Sequence, residues 1–471
     1  MNRIVGLETE YGCLSSDPAG PPGAVARVRN WMFEKNRFGL ADLHQRDWDE
    51  PAGNGGFLFN GGRCYVDMGH LEICTPECLT LRDLLRFDRA GDTMLTLATH
   101  ELGLAERLGF VRNNVDYYSG ATFGCHENYL VRRAAPLTEA NVQSLLAFLT
   151  LRVLYTGAGR VRSSPGAESR GDVIKLAMDS DFQISQRADY INNDLFEWVQ
   201  FNRAIINTRD EPLADPRKFR RLHLIHGDTS VLPATLALKC GTASLVLDLL
   251  EIDQMPAVAL ADAVFTFRTL SHTPDGPWRV LLADGREVPA VEALQWFYTA
   301  ADRAFRGRDA ETDALLGIWG GVLADLESNV ESLVGTVDWV TKRWLYGQFL
   351  AQEKLAWTDP WLRAQDLEFH AVDPARNLGW PLARTPDPWI ISPEDQHAAL
   401  LTPPTSTRAA ARSSLMHQLK AQPFRYFIDW ETIEAEGAEA LKLLDPFDPA
   451  PPDVAAWLRR CQRAQASHEG S

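Results

Sequence analysis

The chain has 471 residues, of which 45% are hydrophobic and 23% charged, enough apolar material to exclude disorder as its dominant state. Its 47 Lys and Arg against 63 Asp and Glu give a net charge of −16, which argues against a broad nucleic-acid-binding face. No apolar run approaches the roughly 18 residues of a membrane span, and the N-terminus turns acidic before a signal-peptide core forms, so a cytoplasmic protein without nucleic-acid or membrane partners is expected.

Residues 3–12 read as a strand, with Ile4, Val5 and Leu7 followed by polar alternation and a stop at Gly12. The Pro/Gly/Ala-rich stretch 16–30 and the charged stretch 34–56 read as loop, the second long enough to suggest a function. A second strand is expected over 57–67, marked by the turn former Asn60-Gly61-Gly62. Apolar spacing predicts a helix over 81–109, a strand over 121–132 and a helix over 138–155. Further helices are expected at 242–252, 289–306, 310–333 and 338–356. Strands early and helices late indicate α+β with a mostly antiparallel sheet. The proline-rich stretch 385–404 suggests a boundary between a domain of residues 1–400 and a small C-terminal one of residues 401–471. Seven cysteines without a secretory signal read as free thiols. His70, Cys74 and Cys78 lack the second ligand pair that a structural zinc site needs.

Side chains two apart on a strand share a face at about 6.5–7 Å. Glu8 and Glu10 therefore point the same way and repel each other unless a cation lies between them. Carboxylate oxygens suit Mg²⁺; the alternative is a solvated strand face. Arg63, Tyr65 and Asp67 share a second face, followed closely by His70, Glu72 and Glu77. Arg63 suits a nucleotide phosphate, Glu72 can join Glu8 around a metal, and Asp67 suits a nucleophile or general base. A structural Arg63–Asp67 ion pair is the competing reading. His126 shares a strand face with Asn128 and is either a substrate contact or a structural histidine. Arg187, Arg209 and the run Arg217–His223 form the most basic stretch, which suits an anionic ligand. There is no Gly-x-x-x-x-Gly-Lys-Ser/Thr loop and no Rossmann fingerprint.

In chain order, Gly6-Leu7-Glu8-Thr9-Glu10-Tyr11-Gly12, Asn60-Gly61-Gly62-Arg63-Cys64-Tyr65-Val66-Asp67, Gly124-Cys125-His126-Glu127-Asn128-Tyr129-Leu130, Ser185-Gln186-Arg187, residues 205–212 and 220–223, Asp338-Trp339, Pro403 to Ala409 and Asp429-Trp430 resemble the Pup ligase and depupylase family. This family attaches or removes Pup, a small bacterial protein tag, and is related to glutamine synthetase-like carboxylate–amine ligases. The resemblance implies a large α+β domain with a curved, mostly antiparallel sheet cradle packed by helices, plus a small C-terminal domain. It implies ATP and Mg²⁺ as cofactors, and a Pup-like tag, its conjugates or a small molecule as partner. By position it implies Mg²⁺ ligands at Glu8, Tyr65 and Glu72, with Glu10 beside them, and ATP contacts at Arg63, Thr75 and Trp430. It implies Asp67 as the catalytic aspartate, and Arg187, Arg209 and His223, joined here by His126, around the transferred phosphoryl group and substrate.

The spacing Asp67-Met68-Gly69-His70 resembles depupylases, since ligases have one more residue before the histidine. Thr156 to Val161 leans the same way, and the 34–56 stretch resembles a shortened depupylase loop. The chain departs from the family at Leu71, Leu213, Ser413-Ser414 and Arg112. The reading drawn from these features is a depupylase-like, ATP/Mg²⁺-dependent hydrolase of an amide or isopeptide bond. The alternatives are an ATP-dependent Pup-type ligase, a relative that hydrolyses ATP or another phosphorylated small molecule, and a non-catalytic nucleotide-responsive binding protein.

Overall fold

The computed structural model describes residues 1, 3–47, 50–117, 119–161, 181–197, 202–422, 424–436, 438–450 and 454–469. The chain packs as two compact units. Residues 4–109, 210–221 and 391–471 form one, and residues 1–3, 110–209 and 222–390 form the other.

The first unit is built on β1 (Val5–Ser15), α1 (Gly20–Phe33), β2 (Gly39–Ala41), β3 (Gly55–Leu58), β4 (Arg63–Asp67), β5 (His70–Cys74) and α2 (Leu81–Glu101). Its strands lie in the order β1-β5-β4-β3-β2, and every neighbouring pair is antiparallel. Period-two alternation divides the chemistry between two faces. Tyr11, Cys64, Leu71 and Ile73 are buried on one face, where α1 packs on β1, β4 and β5 and α2 packs on β1. The Tyr11 hydroxyl donates to Asp92 of α2 at 3.0 Å. The opposite face carries the ionisable residues. The same unit holds the helix Ala409–Leu419 and a small antiparallel sheet of Tyr426–Ile428, Thr432–Ala435 and Leu441–Lys442. Leu40, Phe57, Leu415, Ile428, Ile433 and Trp457 meet in its core.

In the second unit the strand order is Ile191–Phe196, Arg203–Asn207, residues 222–224 and Cys125–Arg132. The first pair is parallel and the next antiparallel. Helices Glu139–Leu151, Ala290–Phe305 and Ala310–Ser328 surround the helix Pro233–Glu251. That central helix corrects one expectation. It is long and apolar enough to cross a membrane, with a mean hydropathy of 1.3, yet 94% of the apolar window is buried inside the fold. Its charges are matched there. Lys239 donates to the Asp228 carbonyl at 2.6 Å, and Asp248 pairs with Arg3 and Arg308.

Other element boundaries also differ from the sequence reading. The stretch expected as loop over 16–30 contains α1, because Pro21 and Pro22 occupy the first helical turn, where a missing N–H costs nothing. The stretch 34–56 contains β2 and the start of β3; its residues 48 and 49 lie outside the described residues. The strand expected over 57–67 is a hairpin of β3 and β4, turned at Gly61 with φ +90°. The helix expected over 81–109 ends at Glu101, with Gly103 at φ +66° just beyond. The helix expected at 242–252 begins nine residues earlier, at Pro233.

Candidate active site

The site is laid out by strand register. Glu10 on β1 lies opposite Glu72 on β5, and Glu72 lies opposite Tyr65 on β4. In the next row Glu8 faces Cys74, which faces Arg63. Asp67 pairs with His70 at the hairpin end, across a two-residue turn in which Met68 and Gly69 have φ +45° and +93°. Positive φ at both central positions is the geometry that joins tightly twisted strands. It places Asp67 and His70 on the same face as the glutamates.

The Glu10, Asp67 and Glu72 carboxylates offer oxygens that all lie within 4.8 Å of one another. Glu10 and Glu72 are buried and Asp67 is half-buried. Like charges directly opposite on a sheet destabilise it. Burial, and after it the charges of Glu8, Glu10 and Asp67, push the Glu72 carboxyl well above the usual carboxylate range. The Tyr65 hydroxyl donates to Glu72 Oε1 at 2.5 Å, and the Cys74 thiol lies 3.6 Å from the same oxygen. His70 Nδ1 is 4.0 Å from Glu10. A crowded set of hard oxygen donors fits a small divalent cation. Asp67 enters the compact trio with Glu10 and Glu72, whereas the sequence reading gave the metal to Glu8, Glu10, Tyr65 and Glu72 and made Asp67 the catalytic aspartate.

A metal-free protein with this cluster loses stability as pH rises from the unfolded carboxyl value, about 4.3, toward the raised Glu72 pKa, because the unfolded chain releases a proton that the folded one keeps. Magnesium is therefore expected to raise the melting temperature more at about pH 8 than at about pH 5. A melting temperature that millimolar magnesium leaves unmoved at the higher pH would count against the site.

Arg63 does not pair with Asp67. Its guanidinium is held by Glu50 and by Asp42, the latter at 3.3 Å, and lies 4.4 Å from the Tyr65 ring centre. Burial opposes its charge, but Glu50 and Asp42 outweigh burial and raise its pKa. The Thr75 hydroxyl accepts the Leu7 N–H at 3.0 Å, locking β1 to the residue after β5. Trp430 meets Phe57 edge-on at 5.1 Å and lies 4.9 Å beneath the Arg412 guanidinium. Sequence reasoning missed the anchor of this segment. Glu77 accepts from Arg408 at 2.7 Å and from both terminal nitrogens of Arg412, at 3.0 and 2.6 Å.

The other four candidate residues belong to the second unit. His126 and His223 stack edge-to-face at 5.2 Å. Arg187 is buried and donates to the carbonyls of Phe123 and Ile225 at 2.6 and 2.8 Å, so it at least clamps backbone. Arg209 is exposed, and its N–H donates to Asn207 at 2.9 Å.

The profile of the family described as "Pup-ligase protein" matches residues 3–434. The chain belongs to the Pup ligase family. It is 34% identical to the Pup--protein ligase of Corynebacterium jeikeium, over 96% of this chain and 97% of that one. It is also 34% identical to the Pup deamidase/depupylase of Mycolicibacterium smegmatis, over 89% of each. A crystal structure of Pup in complex with its ligase PafA matches with a TM-score of 0.82 and 30% identity, covering 100% of this chain and 93% of that one. PafA in complex with ADP gives 0.76 and 29%, covering 95% of each. The α+β fold with mostly antiparallel strands packed by helices is thus the fold of this family. Most of its similar relatives carry the ligase name, which favours the ligase alternative over the hydrolase reading.

Proposed function

We propose that this member of the family is an ATP- and Mg²⁺-dependent ligase that joins a carboxylate of a Pup-type tag to an amine. The observation that carries this reading is near-full-length similarity to Pup--protein ligases. The carboxylate face of β1, β4 and β5 suits that chemistry. Glu8, Glu10, Tyr65 and Glu72 would hold the metal, and a bound magnesium ion supplies positive charge against the phosphates. Arg63, Thr75 and Trp430 hold ATP. His126, Arg187, Arg209 and His223 serve the phosphoryl group and the tag. The tag carboxylate attacks the γ-phosphorus and ADP leaves. The amine then attacks the acyl phosphate, phosphate leaves, and Asp67 takes the amine proton.

Purified protein, Mg-ATP, an amine-bearing protein and a glutamate-ended Pup-type tag are expected to give one ADP and one phosphate per conjugate. Mass spectrometry and phosphorus NMR read both. One observation favours a hydrolase instead: the two-residue turn between Asp67 and His70, the spacing that resembles depupylases. Release of tag from a conjugate without stoichiometric ADP, and no conjugate formed, would select that reading and reject the ligase.

A further inference from the structure

We propose that Asp42 and Arg46 are positioning residues for the nucleotide: Asp42 aims the Arg63 guanidinium, and Arg46 ties Asp42 to the turn that carries Trp430. The inference rests on the reading of Arg63 and Trp430 as ATP contacts. Arg46 grips Asp42 with two parallel hydrogen bonds, Nε to Oδ2 at 2.7 Å and Nη2 to Oδ1 at 3.1 Å. The same Oδ2 accepts from Arg63 Nη2 at 3.3 Å. Arg46 also donates to the Ile428 carbonyl and, at 3.2 Å, to Asp429. Its guanidinium lies 4.5 Å from the Phe427 ring centre. One carboxylate thus links the arginine that begins β4 to the residues immediately before Trp430.

Exposed ion pairs contribute little, but these side chains are shielded: Arg46 is 10% exposed and Asp42 and Arg63 are each 9%. A forked arginine–carboxylate contact fixes direction as well as distance. Three guanidiniums, those of Arg46, Arg63 and Arg412, stand 5.4, 5.9 and 5.4 Å from the single buried ring of Phe57. Such crowding repels unless carboxylates intervene, and Asp42, Glu50, Asp429 and Glu77 do so. Arg63 Nε is nevertheless buried without a hydrogen-bond acceptor. A buried guanidinium N–H held in a fixed direction suits an anionic ligand.

The test is a double-mutant cycle on the full-length chain, read by calorimetry with a non-hydrolysable Mg-ATP analogue. Asp42→Asn is expected to weaken binding roughly tenfold, to raise KM for ATP and to leave kcat at saturation unchanged. In an Arg63→Ala background the same substitution is expected to have no further effect, because the group that Asp42 aims is gone. Wild-type affinity in Asp42→Asn, or an equal loss in both backgrounds, would overturn the inference while leaving the Arg63 reading intact. Wild-type affinity in Arg63→Ala would overturn both. Arg46→Lys keeps the charge but loses the fork. It is expected to weaken binding through Arg63 in the same way, and the same criteria apply to it should Asp42→Asn not fold.

Discussion

Asp67→Asn is expected to slow conjugate formation by about 10²–10⁴-fold while melting at or above the wild-type temperature. The two outcomes have separate causes. Asparagine keeps the shape and the backbone pairing with His70, but it takes no proton from an incoming ammonium group. It also removes one of the charges that push on buried Glu72, so the cluster relaxes. The first half of the reaction does not need that proton transfer, and an ADP burst without conjugate is expected in single-turnover mass spectrometry. A folded variant that makes conjugate at the wild-type rate would remove Asp67 from its role.

Much of this face is legible in the sequence because its logic is local. Glu8 and Glu10, and Arg63, Tyr65 and Asp67, alternate with buried residues, and period two alone puts each set on one side. The third strand carries the same signal in His70-Leu71-Glu72-Ile73-Cys74. It stays hidden until Met68-Gly69 is recognised as a complete hairpin turn, since a two-residue loop leaves almost no polar stretch to mark it. The helix α1 is masked for a related reason: prolines read as breakers, yet at the first turn they fit. What no local pattern reveals is the set of partners brought in from afar. Arg63 is held from the charged 34–56 stretch, and Glu77 by arginines 331 and 335 positions later. Loop closure over such distances leaves no periodicity to read. An Arg63–Asp67 pair looks plausible on one strand face, but Asp42 and Glu50 occupy that guanidinium.

Glu77→Gln is expected to destabilise the protein by about 3–5 kcal/mol, among the largest effects of any single substitution here, although Glu77 touches no proposed substrate. The carboxylate is buried with Arg408 and Arg412, which are themselves buried. Removing its charge leaves two guanidiniums in a low-dielectric site without their counter-ion. Burial alone would raise the Glu77 pKa, but Arg412 and Arg408 outweigh burial and hold it at about 2. A carboxyl depressed in the folded state stabilises fully above its unfolded value, about 4.3. That contribution is lost as pH falls from there toward about 2. The wild type is therefore expected to lose stability across that window, and Glu77→Gln to lack that part of the acid response. Denaturant melts at several pH values measure both; an equal acid response in the two proteins would show that the pair is not what the pH titrates. Arg412 adds a link to the site, since it also donates to the carbonyls of Gly61 at 2.6 Å and Trp430 at 2.9 Å. Arg412→Lys preserves the charge but presents its donors from one nitrogen, which does not span Glu77, Gly61 and Trp430 together. It is expected to retain part of the stability and still to bind nucleotide more weakly, which separates the electrostatic role of this arginine from its geometric one.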